Sequence, residues 1–201
     1  MKQNRVVMFV DAPVKGKVFK KLVRDHGEDG ALALYEQSVK HLKAELAGDD
    51  RWSFTFAVTP GSQAHNPLWG QTTAIPTMRG NRGNKIVNIL VNMMPGNVLI
   101  IDAHCPFVTK VDVNEAFEAL LDHDVVFGAN NVGGFWGMGM KRDPLPLDPF
   151  KNIDWRGDSI LKKVLSNLRH DRKVKMLSER KVIETKGAVE EFRTLVGADA
   201  E

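Results

Sequence analysis

The sequence is poor in the residues that build disulfide frameworks, thiolate metal sites and stacking surfaces. Its 201 residues include one cysteine and one tyrosine, and aromatic residues make up 7% of the chain. The lone Cys105 has no partner for an intramolecular disulfide and no second thiolate for a metal site. Because this cysteine usage is typical of a reducing compartment, we expect a cytoplasmic protein.

Long hydrophobic runs are scarce as well. The apolar run near the beginning of the sequence extends from Val6 to Val10. Such a run is too short for the hydrophobic region of a signal peptide and far too short to span a bilayer. The sequence therefore predicts no membrane span and no export by that route.

Basic residues exceed acidic residues by a small margin, which gives a formal net charge of +3. They recur in short groups, among them Lys15, Lys17, Lys20 and Lys21 and, later, Arg79, Arg82 and Lys85. Such groups suit phosphate-bearing small molecules or a nucleic-acid backbone, although solvated helix faces carry similar lysines. Since neither the interleaved aromatic residues of a single-strand binder nor the Cys/His spacing of a zinc finger occurs, we expect no nucleic-acid partner.

Apolar strands alternate with amphipathic helices along the sequence. Short apolar runs predict strands at 6–10, 52–58, 97–101, 125–127 and 174–177. Apolar residues at three- and four-residue spacing predict helices at 32–46, 86–93, 113–121, 160–168 and 189–195. This alternation is typical of right-handed βαβ units. We therefore expect an α/β fold, a three-layer α/β/α sandwich with a mainly parallel sheet, in a single domain that spans residues 1–201.

Two segments rich in glycine and asparagine are predicted to be loops. Residues 60–84 form the longer one, and loops of that length are usually functional or mobile. Residues 128–137 need backbone freedom because they contain four glycines. We expect this second loop beside the end of the strand at 97–101.

Polar residues follow the apolar strand at 97–101 directly. Asp102 ends the run, and His104 comes two residues later. Since ligands of parallel α/β sheets bind outside the carboxyl ends of strands, this Asp-x-His pair predicts a site for a divalent cation and a phosphate-bearing substrate. An aspartate that caps the strand, with a hydrogen-bonded histidine in the next turn, is the structural alternative.

Several short motifs occur in the order and at the spacing of a known family. They are Pro13 to Leu22 after the first strand, Asn81 to Ile86, Ala103 to Pro106 after the central strand, Gly128 to Phe135, and Asp154-Trp155. In these motifs the chain resembles the bacterial GT-A glycosyltransferase-like proteins called selenodomain-associated transferases. The resemblance covers nearly the whole chain. It implies the nucleotide-diphospho-sugar transferase (GT-A) fold, a nucleotide-diphospho-sugar donor, and an acceptor that the motifs do not specify.

The resemblance also implies three groups of site residues. The nucleotide-binding group is Ala12, Pro13, Gly16, Lys17, Lys20, Lys21, Arg82 and Lys85. Asp102 and His104 form the metal-binding group, which would take a divalent metal, Mn or Mg. The acceptor-side group is Asn130, Asn131, Gly133, Gly134, Trp136 and Trp155. As an alternative, the two tryptophans belong to the core or to an oligomer interface.

The chain departs from the family chiefly at acidic positions. Asn81, Asn84, His104 and Val132 stand where the family has Asp, Glu, Asp and Asp. A magnesium or manganese site needs anionic oxygens, so these changes should weaken it. Histidine is nevertheless a competent ligand for manganese, which keeps a site at Asp102 and His104 among the hypotheses.

Three functional hypotheses follow. The first is a glycosyltransferase that uses a nucleotide-diphospho-sugar, with or without a metal. The second is a catalytically degenerate nucleotide-binding protein on the same fold. The third is a nucleotidyltransferase, which ranks lower because such enzymes open with a Gly-Gly-rich loop ending in Arg, and this chain has only Gly16 there.

Overall fold

Strands and helices alternate along the chain and build a sheet with helices on both faces. In the computed structural model, which describes residues 4–142, 147–168 and 170–198, the chain forms seven strands and five α-helices. The strands are β1 (Asn4–Asp11), β2 (Ser53–Thr59), β3 (Ala74–Pro76), β4 (Asn97–Asp102), β5 (Val125–Asn130), β6 (Phe135–Lys141) and β7 (Val174–Arg180). The helices are α1 (Val23–Leu46), α2 (Arg82–Asn92), α3 (Lys110–Ala119), α4 (Ile160–Asn167) and α5 (Lys186–Ala198). The predicted α/β class is confirmed.

The strands form one sheet in the order β3-β2-β1-β4-β6-β5-β7. Every neighbouring pair among the described strands is parallel except the two pairs that β6 makes, with β4 and with β5. The predicted mainly parallel sheet is therefore confirmed. Since β4 is the middle strand and Asp102 is its last residue, Asp102 lies at the centre of the carboxyl edge, the edge at which the parallel strands end.

The strand β6 is the main difference from the sequence prediction. The sequence predicts a loop over 128–137, but β5 continues to Asn130 and β6 begins at Phe135, so the connection is limited to 131–134. The strand β6 is not predicted from the sequence because glycine alternates with methionine in it, and glycine has low strand propensity. Close packing requires a small residue in β6 and another in its neighbour β5: a Cβ at Gly139 would lie 2.7 Å from Val126 Cγ2, and a Cβ at Gly128 would overlap the indole of Trp136.

Two hydrophobic clusters, one on each face of the sheet, make the three layers. Leu99 and Ile101 of β4 pack in the cluster that contains α1, α3 and α5. Val98 and Ile100 pack in the other, with α2 and α4. Strands buried on both faces are apolar at successive positions, which is why they are readily predicted. No helix among the described residues has both the length and the apolar composition needed to cross a membrane.

An ion pair connects α3 with the end of β7. It thereby helps to position the segment after β7, which includes Glu184 of the site. Arg180 donates from Nε to Oδ2 of Asp112 at 3.0 Å and from Nη2 to Oδ1 at 2.5 Å. The Asp112 side chain is 2% exposed, and that of Arg180 is 31% exposed. We expect Asp112→Asn to lower the free energy of unfolding by about 2 kcal/mol, less than for a fully buried pair because Arg180 can still be hydrated.

Urea denaturation of Asp112→Asn beside Glu115→Gln, on the same helix, measures this effect. Glu115 is only half-buried, so its substitution should change stability by less than about 0.5 kcal/mol. Equal midpoints for the two variants would show that the ion pair contributes nothing to stability.

Candidate active site

The carboxyl ends of β1, β2 and β4 place three polar side chains around the beginning of α2. Asp11 ends β1, Thr59 ends β2 and Asp102 ends β4. The loops that follow β1 and β5 lie at the same edge, because both strands run in the direction of β4. The segments predicted to flank Asp102 are thus all on its side of the sheet.

Asp102 is the centre of a compact polar network. Its Oδ1 accepts hydrogen bonds from the backbone N–H of His104 at 2.9 Å and from His104 Nδ1 at 2.7 Å. Its Oδ2 lies 2.6 Å from Nη1 of Arg82 in an ion pair. Both carboxylate oxygens are therefore engaged by neighbouring side chains.

The network shifts the pKa of both titratable groups at its centre. Burial disfavours the charged form of Asp102, but the charges of Arg82 and His104 and the hydrogen bonds from His104 outweigh it and hold the pKa of Asp102 far below its ordinary value. Burial likewise opposes protonation of His104, but the Asp102 carboxylate prevails and raises the pKa of His104. Asp102 is thus an anion at neutral pH, and its carboxylate stabilises the protonated form of His104 relative to a free imidazole.

Three adjoining clefts open at this edge in the described part of the chain, and His104 lines each of them. The inner cleft, of about 200 Å³, is lined by residues that include Asp11, Thr59, Arg82, Lys85, Asp102 and His104. The wide cleft, of about 470 Å³, is lined by residues that include Lys21, Arg82, Asn130, Trp155, Arg156 and Glu184. The lysine cleft, of about 310 Å³, is lined by residues that include Lys17, Phe19, Lys20, Lys21 and Glu184.

Positive charge dominates the walls of these clefts. Six lysine and arginine side chains and three carboxylates line them among the described residues. Two of the carboxylates are already paired, Asp102 with Arg82 and Glu184 with Lys21 at 2.5 Å. Such a surplus of cations in a concave site attracts anionic ligands.

His104 is held in place by aromatic rings as well as by Asp102. Its ring centroid lies 5.1 Å from that of Phe19 and 6.3 Å from that of Tyr35. Tyr35 is itself fixed, because its hydroxyl donates to the backbone carbonyl of Asp11 at 2.8 Å. With Nδ1 bound to Asp102, Nε2 is the ring nitrogen that can contact a ligand where the clefts meet.

The predicted nucleotide-binding residues separate into two groups. Those that line the clefts are Lys17, Lys20, Lys21, Arg82 and Lys85. Ala12, Pro13 and Gly16 line none of the three clefts; Ala12 is buried and donates from its backbone N–H to the carbonyl of Thr59 at 2.7 Å. This hydrogen bond of Ala12 ties the start of the loop to the end of β2.

The predicted acceptor-side residues are divided in the same way. Asn130, Gly134 and Trp155 line the wide cleft. Asn131 instead accepts a hydrogen bond from the backbone N–H of Val182 at 2.9 Å. Gly133 has a positive φ of 80° and packs against the backbone of Asp158.

Trp136 does not belong with the acceptor-side residues. It is 0% exposed in the core cluster of α1, α3 and α5. Its Nε1 donates to the backbone carbonyl of Ser178 at 2.9 Å. The alternative of a packing role describes Trp136, whereas Trp155 faces a cleft.

Among the charged and hydroxyl-bearing residues described in the clefts, four are not among the predicted site residues: Asp11, Thr59, Arg156 and Glu184. Asp11 and Thr59 are the last residues of their strands, so the rule that leads to Asp102 also applies to them. Thr59 accepts a hydrogen bond from Lys85 Nζ at 3.2 Å. Arg156 and Glu184 lie on irregular segments, which carry no periodic signal in the sequence.

The donor set does not fit a divalent metal. Among the described residues no group of three or more His, Cys, Asp or Glu side chains is arranged to hold a metal ion. Asp102 Oδ2, which would face such an ion, faces the guanidinium of Arg82 instead. The nearby Cys105 is buried, and burial raises the pKa of its thiol. Asp102 and His104 thus have the arrangement of a capped turn with a bound histidine.

A separate cavity of about 440 Å³ lies between α2 and residues 148–152. It is lined by amide side chains such as Asn84 and Asn88 and by Phe150. None of the predicted site residues contributes to it.

Comparison with known families shows where the chain belongs. Residues 39–157 match the family described as "Uncharacterized protein conserved in bacteria (DUF2064)". Because this match covers more than half of the chain, the protein is a member of that family. No curated protein matches the sequence.

Solved structures share the fold. A protein of Desulfovibrio desulfuricans G20 assigned as a nucleotide-diphospho-sugar transferase is similar with a TM-score of 0.82 and 22% identity, over 92% of this chain and 84% of that one. CMP:2-keto-3-deoxy-manno-octonic acid synthetase, solved with CTP, has a TM-score of 0.63 and 10% identity over 98% and 99% of the two chains. Rv0371c of Mycobacterium tuberculosis H37Rv, solved with manganese, has a TM-score of 0.52 and 12% identity over 94% and 97%. The chain thus has the nucleotide-diphospho-sugar transferase fold, and function has to be argued from its own site.

Proposed function

We propose that the protein binds a nucleotide-diphospho-sugar at the carboxyl edge of its sheet and transfers the sugar to an acceptor. The observation that carries this proposal is the surplus of lysine and arginine side chains in the clefts around His104. A diphosphate carries two or more negative charges, and it needs cationic donors that converge on a small volume.

The sizes and linings of the clefts support a division of labour among them. The inner cleft, where Arg82 and Lys85 lie three residues apart on one face of α2, would hold the diphosphate. The lysine cleft would take the nucleoside side of the donor. The wide cleft, with Asn130 and the indole of Trp155 in its wall, would take the sugar and the acceptor.

The chemistry asked of the residues is modest. In the transfer, the bond between the anomeric carbon and the diphosphate breaks while a bond to the acceptor oxygen forms, and the proton of the acceptor hydroxyl passes to the departing diphosphate or to solvent. Negative charge then develops on the departing diphosphate, and preorganised cations stabilise that charge. Arg82 and Lys85 would supply this stabilisation, and His104 Nε2 would contact the reacting groups where the clefts meet.

A binding screen tests the proposal. We expect at least one nucleoside diphosphate or nucleotide-diphospho-sugar to raise the melting temperature, because a ligand that binds only the folded state stabilises it by mass action. Calorimetry should then give a Kd, and Lys163→Gln on the exposed part of α4 should leave that Kd unchanged. No shift with any nucleotide, with or without manganese, would overturn the proposal.

The second candidate is a nucleotide-binding protein without transferase activity. Arg82 and His104 engage both oxygens of Asp102. Among the described residues of the inner cleft, Asp11 is the one carboxylate that forms no ion pair. Nucleotide binding with no release of nucleoside diphosphate from any bound nucleotide-sugar, across a panel of sugar acceptors, would favour this candidate.

A further inference from the structure

The ion pair between Arg82 and Asp102 occupies the position at which a metal would be expected. Asp102 is the last residue of the central strand, and its Oδ2 points to the inner cleft, where Nη1 of Arg82 lies at 2.6 Å. Its other oxygen is bound by the backbone and the ring of His104. A divalent cation would have to displace the guanidinium to reach this carboxylate.

The guanidinium is well supported in this position. Arg82 is the first residue of α2, and the side chain of Asn81 caps that helix by accepting from Asn84 N–H at 2.9 Å. The Arg82 guanidinium also lies 6.0 Å from the centre of the Phe9 ring, within the range of a cation–π contact. With 30% of its side chain exposed, it lines both the inner and the wide cleft.

Arginine can do for a diphosphate what a bound metal does. It is permanently charged, and its planar fork of N–H donors matches the oxygens of a phosphate. Lys85, one helical turn further along α2, adds a second fixed cation to the inner cleft. Together these groups carry a charge of two, equal to that of one divalent ion, and Asp102 would offset one unit of charge in either case.

We propose that Arg82 replaces the divalent metal in this site, so that the protein binds the diphosphate of its ligand without a metal ion. The inference rests on the proposed function and goes beyond it by specifying how the diphosphate charge is balanced.

Calorimetry with nucleoside diphosphates provides the test. Wild-type protein should bind the best nucleotide of the screen with chelator present, and manganese should leave the Kd within about twofold or weaken binding by reducing the charge of the ligand. Titration of manganese chloride alone should give no saturable heat. Arg82→Gln should weaken binding in chelator about fivefold, and Arg82→Lys, which keeps the charge but not the planar fork of donors, should weaken it by less.

The matched control is Arg79→Gln. Arg79 is exposed three residues before Arg82 and lines none of the three clefts, so its substitution should leave the Kd unchanged. Binding that requires manganese, or equal affinities of wild type and Arg82→Gln in chelator, would overturn the inference and leave the proposed function standing. Absence of binding under both conditions would instead defeat the proposed function, and this inference with it.

Discussion

Replacing Lys85 by glutamine is expected to weaken the binding of a nucleoside diphosphate tenfold or more. Lys85 is partly buried in the inner cleft and donates only to the hydroxyl of Thr59 among the described residues. Unlike Arg82, it forms no ion pair with a carboxylate among the described residues, although Asp11 lies in the same cleft. A charge-assisted hydrogen bond contributes about 1.5–3 kcal/mol, which corresponds to about tenfold or more in Kd.

The comparison with Lys20→Gln makes this prediction specific. Lys20 is exposed in the lysine cleft, where solvent and salt screen its charge. We expect that variant to change the Kd less than about threefold at moderate salt. Calorimetry at low and moderate salt measures the Kd of both variants. Equal losses of affinity would mean that the ligand responds to the total positive charge of the clefts and makes no specific contact with Lys85.

Much of the fold could be predicted because the strands of a parallel sheet are buried on both faces. Runs such as 6–10 and 98–101 are apolar at every position, and short chain segments with that pattern are limited to strands or buried helices. The strand β6 could not be predicted because its interior alternates glycine with methionine. Its Gly139 is required by close packing, because an added Cβ would lie 2.7 Å from Val126 Cγ2. That tertiary cause is not visible in the local sequence.

The location of the site could be predicted from topology, but the partners of its residues could not. The rule that ligands bind at the carboxyl ends of parallel strands leads to Asp102 and to the loops beside it. The sequence could not show that Arg82 would reach Asp102, because the two residues are far apart in the chain and meet only when α2 packs against β4. The choice between a metal ligand and a paired carboxylate depends on that contact.

The two tryptophans in the predicted acceptor group illustrate the same limit. Trp136 lies within a strand, where successive side chains point to opposite faces of the sheet, and its face is the core. Trp155 lies on an irregular segment and packs against Phe150, with a ring-centroid distance of 5.8 Å, at the wall of the wide cleft. The sequence alone does not distinguish the two tryptophans. The position of Trp136 on the core face of β6 becomes visible only in the folded sheet.

Gly133→Ala is expected to cost about 3 kcal/mol or more of folding stability and to disturb the wide cleft. Gly133 has φ of 80°, a conformation that costs an alanine about 1–2 kcal/mol. A Cβ there would also overlap the carbonyl oxygen of Asp158, and relieving such a clash in a packed site costs about 1–3 kcal/mol. The backbone of the segment before α4 would have to move, because a carbonyl group cannot rotate away as a side chain does.

The consequence should reach the ligand site through the turn that connects β5 with β6. The Gly133 carbonyl accepts from Leu161 N–H at 2.9 Å, and Asn130 Oδ1 accepts from Gly134 N–H at 2.8 Å. Displacement of the turn therefore moves the wall of the wide cleft, while Arg82 and Lys85 stay in place. We expect weaker binding of a nucleotide-diphospho-sugar but little change for the corresponding nucleoside diphosphate.

Gly187→Ala is the matched control for this variant. Gly187 lies near the start of α5, and a methyl group added at its Cα would meet no atom within 4 Å. Alanine is also the better helix former by about 1 kcal/mol. Urea denaturation should thus show a loss of stability for Gly133→Ala and none for Gly187→Ala. If both variants were as stable as wild type, the turn could accommodate a methyl group at Gly133. The close contact between Gly133 and Asp158 would then not determine the position of the cleft wall.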